Sequence, residues 1–78
     1  MIPEIVDRDL DCLGMICPLP VLRTKKALAD MVTGQILKIR ATDLGAEFDI
    51  PTFAKQTGHE LLATEKQDDI FIFYLKHR

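Results

Sequence analysis

Pro18 and Pro20, in the stretch DCLGMICPLP, leave the chain few local structures to adopt. A proline fixes φ and carries no N–H. A strand paired on both sides cannot run through them, and a helix interior is broken by them. The first turn of a helix accepts them, because its N–H groups have no intrahelical partner. The pair therefore predicts a helix starting at Pro18. Cys17 then takes the cap position, with its sulfur near the positive end of the helix dipole.

The pattern on either side agrees. Residues 5–11 alternate, with Val6, Arg8, Leu10 and Cys12 on one side and Ile5, Asp7, Asp9 and Asp11 on the other, which predicts a short strand ended by Gly14. After Pro18 the period becomes helical: Val21, Thr24, Leu28, Met31 and Val32 share a face, and Gly34 stops the helix. QILKIRA alternates again, with Leu37, Ile39 and Ala41 inward. Asp49 reads as the N-cap of a second helix carrying Ile50, Phe53, Ala54 and Thr57, ended by Gly58. HELLATE is a third strand, Asp68-Asp69 a turn, and IFIFYLK a fourth strand.

The order β-α-β-α-β-β predicts an α+β two-layer sandwich: a four-stranded mixed sheet with both helices on one face. The first strand–helix–strand unit is expected to be right-handed and parallel, and the last two strands a hairpin. The fourth strand is apolar on both sides. Either covering side chains shield its outer face, or that face is a docking patch for a partner.

At 78 residues the chain is read as one domain, 1–78, with no repeat or linker. No apolar run could span a bilayer, and the N-terminus lacks the basic and apolar regions of a secretory signal. These features predict a cytoplasmic protein, in which two cysteines are reduced thiols rather than a disulfide framework. Net charge is −2, but Arg23, Lys25, Lys26, Lys38 and Arg40 form a basic block just after Cys17. In an acidic chain that block is too small to predict direct nucleic-acid binding. It suits an acidic protein surface or a small anion.

A cysteine at a helix N-terminus can have its pKa lowered to about 3.5–7.5. Cys17 is therefore expected to be an exposed, anionic nucleophile, with Arg23, Lys25 and Lys26 adding positive potential. Cys12 ends the first strand and points toward the core; it is read either as a small buried hydrophobe or as a resolving thiol for Cys17. His59 is read as structural. The spacing of the cysteines with His59 and His77 does not fit a zinc site, and no metal is expected. Asp43 and Asp49 are read as loop and N-cap residues. No Ser/His/Asp set, phosphate loop or nucleotide fingerprint is present.

LDCLGMICPLPVLRTKKAL resembles the opening of the TusA-type (TusA/SirA-like) sulfur carriers, whose signature is a strand, a glycine and Cys-Pro-x-Pro at the first helix. ATDLGAEFDIPTFAKQTGHELL is similar to that family's second segment, so the resemblance runs from about Leu10 to Leu75. It implies the same two-layer fold and a carrier holding sulfane sulfur as a persulfide on Cys17. It also implies a donor protein (a cysteine desulfurase, a rhodanese-like or a DsrE-like protein) and an acceptor serving tRNA thiolation, cofactor assembly or sulfur oxidation. Leu44 stands where many members have proline. Cys12 stands where the common member has another residue, which leaves open whether one thiol works or two.

The expectation is a sulfurtransferase-type carrier with little chemistry of its own and no cofactor beyond the sulfur on Cys17. It would act as a monomer or weak dimer, with a membrane transporter remaining open as a partner. Two alternatives stay in play: a dithiol reductase using Cys12 and Cys17, and a regulatory interaction module in which sulfur has no part.

Overall fold

A computed structural model describes residues 2–78; residue 1 of the expected domain lies outside the described residues. The elements are β1 (Arg8–Cys12), α1 (Leu19–Ala29), β2 (Ile36–Ala41), α2 (Ala46–Thr57), β3 (Glu60–Gln67) and β4 (Ile70–Lys76). They form one mixed sheet in the order β1-β2-β4-β3. β1 and β2 are parallel, joined by α1 as crossover; β4 is antiparallel to both β2 and β3. The fold is the expected α+β sandwich.

The core lies between the helices and one sheet face. Leu37, Ile39 and Ala41 of β2 alternate inward, as do Phe71, Phe73 and Leu75 of β4. They meet Ala27 and Leu28 of α1 and Ala46, Ile50 and Ala54 of α2 in one cluster. Each large side chain buried in this way contributes about 1.5–3 kcal/mol. Thr24 is the buried polar residue of α1, and its hydroxyl donates to the Pro20 carbonyl at 2.7 Å.

β4 lies between two strands, which explains its apolar outer side. Ile72 and Tyr74 are each 5% exposed there. Their neighbours shield them: Arg40, opposite Ile72, is pinned by Asp9 and Asp11 of β1 at 3.2 and 3.7 Å. The Tyr74 hydroxyl donates to Glu65 Oε1 at 2.9 Å. Of the two readings of this strand, covering side chains describe the molecule.

Three boundaries differ from the expectation. β1 starts at Arg8 rather than at residue 5, because the Asp7 carboxylate takes the Ile36 N–H at 2.7 Å where a further strand residue would pair. α1 starts at Leu19, ends at Ala29 and leaves Val32 64% exposed; Met31 is the buried residue there. α2 starts at Ala46, not after Asp49, and runs through Pro51. Pro51 cannot donate to the Glu47 carbonyl, but Glu47 lies exposed, where water can serve that group.

Candidate functional site

β1 and β2 end together, with Cys12 opposite Ala41. Because they are parallel, the loops that follow them leave the sheet at the same edge. One loop carries Cys17 and the other Asp43. That edge, at the carboxyl ends of parallel strands, is where open sheets with crossover helices commonly build their sites.

The two loops are stitched together. The Gly14 N–H donates to Thr42 Oγ1 at 2.9 Å, and the Cys17 N–H donates to Asp43 Oδ2 at 3.1 Å. Gly14 takes a φ of 77°, a conformation that glycine adopts without penalty. The Leu13 N–H is taken by Asp11 Oδ1 at 2.9 Å, which closes the start of the loop. The Cys17–Pro18 peptide bond is cis.

Pro18 is the cap of α1, and Pro20 is at its second position. Cys17 therefore stands one residue outside the helix, not at its cap. The pocket that borders it has a volume of about 280 Å³ and is lined by Cys17, Pro18 and Val21 on one side and Asp49, Thr52, Phe53 and Gln56 on the other. The segments that carry these residues also expose large apolar side chains: Ile16, Leu44 and Phe48 are each more than two thirds exposed, and Leu19 is 46% exposed.

Gly45, the cap of α2, explains how the loops come so close. A Cβ on it would sit 2.9 Å from Asp43 Oδ2, 3.5 Å from Asp49 Oδ2 and 3.6 Å from the Cys17 Cβ. One bare Cα thus lies among the cysteine and both carboxylates.

The electrostatics at Cys17 oppose the expectation. Its thiol pKa is raised, first by a hydrogen bond to Asp49, then by desolvation and by the charges of Asp49 and Asp43. The basic residues named from the sequence are directed elsewhere. Arg23 and Lys26 line a groove of about 200 Å³ with Arg8, Leu10 and Asp30. Lys25 lines another, with Phe53, His59 and Arg78. Cys17 is therefore an exposed thiol whose acidic neighbours disfavour the thiolate, with no basic side chain lining its pocket.

Cys12 and Cys17 are both free, and Cys12 is wholly buried in the core cluster. Burial pushes its thiol pKa up, with the Arg23 charge opposing. His59 does not line the pocket beside Cys17. It stacks on Phe53 at 6.0 Å, meets His77 edge-on at 4.8 Å and accepts the Arg78 N–H at 3.2 Å, beyond the C-terminal end of α2. Asp43, Gly45 and Asp49 were not expected at the site. Their one signal was the second similar segment, ATDLGAEFDIP, which lies far from Cys17 in the chain but is folded against it.

Residues 8–77 match the family model described as Sulfurtransferase TusA. The chain is 47% identical to the sulfur carrier protein TusA of Allochromatium vinosum, over 90% of this chain and 92% of that one. It is 36% identical to the sulfur carrier protein TusA of Pseudomonas syringae pv. syringae, over 94% and 87%. Among solved structures, the SirA-like protein of Desulfitobacterium hafniense superposes with a TM-score of 0.78 at 26% identity, covering 88% of this chain and 95% of that one.

Proposed function

The chain belongs to the TusA sulfurtransferase family, and on that premise we propose that Cys17 is the residue on which it carries sulfur. Cys17 takes sulfane sulfur from a donor protein's persulfide and holds it as its own persulfide. It then yields the sulfur to an acceptor thiol. In each exchange a thiol sulfur attacks the outer sulfur of a persulfide, the old S–S bond breaks, and the released sulfur takes the proton that the attacker gives up. No net oxidation or reduction occurs, so no cofactor is needed.

The observation that carries this reading is the contrast between the two cysteines. Cys17 is exposed at the mouth of a pocket, on a loop tied down by Thr42 and Asp43, whereas Cys12 is sealed in the core. A dithiol cycle would require the core to open at each turnover. Donor and acceptor proteins would dock on the exposed apolar side chains Ile16, Leu19, Leu44 and Phe48, which neighbour the site residues in the chain, rather than on the basic face of α1. The reading places the carrier in a reducing compartment such as the cytoplasm, where Cys17 stays a thiol.

The test is intact-mass measurement after exposure to polysulfide, on the native chain and on Cys17→Ser and Cys12→Ser. A one-sulfur adduct, removed by dithiothreitol, should form on the native chain and on Cys12→Ser and be absent from Cys17→Ser. An adduct that needs Cys12, or a Cys12–Cys17 disulfide in its place, would overturn the assignment.

A further inference from the structure

The pocket beside Cys17 contains a carboxylate, Asp49, and no cation. Asp43 lies close by, with its Oδ2 already engaged by the Cys17 N–H. The charged groups facing the sulfur are therefore Asp43 from the β2–α2 loop and Asp49 from α2. From α1, Arg23, Lys25 and Lys26 line other grooves. For a carrier that must release its sulfur, this arrangement is unexpected on simple grounds. When an acceptor takes the outer sulfur, the electron pair of the broken S–S bond stays on Cys17. That sulfur must leave as a thiolate, and thiolates with higher pKa leave more slowly. Placing negative charge beside the leaving group slows departure.

We propose that Asp49 is a lock on the carried sulfur: its carboxylate makes Cys17 a poor leaving group until an acceptor brings a cationic side chain into the pocket. The proposal rests on the persulfide reading above and adds to it a positioning residue and a partner chemistry. The acceptor's thiol is flanked by arginine or lysine. Small anionic thiols, which would drain an unguarded persulfide, are refused. The overall step stays balanced: Cys17–S–SH and an acceptor thiol become Cys17–SH and the acceptor persulfide. The raised thiol pKa has the same cause and fits the same role.

Asp49→Asn keeps the shape and removes the charge. Two readouts follow. The first is the alkylation rate of unloaded Cys17 against pH, which does not depend on sulfur chemistry. For each unit by which the substitution lowers the thiol pKa, thiolate rises tenfold while its nucleophilicity falls about threefold, so alkylation near neutral pH rises about threefold. The second is sulfur release from the loaded carrier to two cysteine peptides, one flanked by arginines and one by glutamates. The native carrier should favour the arginine peptide several-fold, and Asp49→Asn should lose that preference and release faster to the glutamate peptide. Glu47→Gln, an exposed neighbour on the same turn, should change neither readout. An unmoved alkylation profile in Asp49→Asn, or an unchanged preference between the peptides, overturns the lock. Failure to load Cys17 at all would instead overturn the persulfide reading, and the alkylation profile would still decide whether Asp49 governs the thiol.

Discussion

Gly45→Ala is the smallest change that tests whether the two loops form one unit. Gly45 has a φ of −62°, so alanine meets no backbone strain there. What it meets is Asp43: the new methyl would lie 2.9 Å from Oδ2, closer than real Cβ contacts come. That oxygen is not a free end, since it holds the Cys17 N–H at 3.1 Å. The carboxylate must swing away, and the bond must break. A hydrogen bond to a charged group is worth about 1.5–3 kcal/mol. The lower end applies, because both groups lie near the surface and water can replace the lost partner. Alanine also restricts the unfolded chain, which offsets about 0.4–1 kcal/mol. The net destabilisation is then about 0.5–1 kcal/mol, or about 2–8 °C in melting temperature for a domain of this size. Thermal melts followed by circular dichroism would measure it, with Asp43→Ala, which removes the acceptor, and the double variant beside it. If the methyl acts through Asp43, the two losses should not add, because the second change removes a contact already lost. A Gly45→Ala protein that melts within about 1 °C of the native chain, or losses that add in full, would refute the reasoning.

Two further outcomes follow from the titratable groups. The pKa of His59 is lowered below the ordinary 6.5 by burial and by the His77 and Arg78 charges. The unfolded chain therefore binds this proton more readily than the folded one. The contribution is present above about pH 6.5 and is lost as pH falls toward the lowered folded value. Melting temperature should drop between about pH 7.5 and 5.5, and His59→Gln should flatten that dependence; an equal drop in the variant would assign it to other groups. Cys12→Ser puts a hydroxyl into a wholly buried apolar site and should cost about 1–3 kcal/mol of stability, read from the urea midpoint. A Cys12→Ser chain as stable as the native one would show that the hydroxyl finds a partner in the core.

Which parts of the molecule were legible in the sequence follows from the range of the forces involved. The inward positions Leu37, Ile39, Ala41 and Phe73 repeat every two residues because the pleat does, and the fold class followed from that period and the order of the elements. Asp49 was misread because an aspartate just before the helical spacing of Ile50, Phe53 and Ala54 has the form of an N-cap. That local signal lost because Glu47, whose carbonyl Pro51 cannot serve, is an exposed residue that water can reach, so the helix could begin earlier, at Ala46. The sign of the charge at Cys17 was misread for a different reason. Helix-dipole effects fade within a turn, Cys17 lies outside the Pro18 cap, and two prolines have already removed donors that would have faced an anion. Against that weak positive end stand two carboxylates from distant parts of the chain: Asp43, 26 residues away on the β2–α2 loop, and Asp49 in the first turn of α2. Short range favours the carboxylates, which push the thiol pKa up. Only the parallel pairing of β1 with β2, which ends both strands at one edge, brings those carboxylates there. The local sequence around a cysteine therefore predicts its presentation better than its charge state, because presentation depends on the chain on either side of it and charge on whatever the topology folds against it.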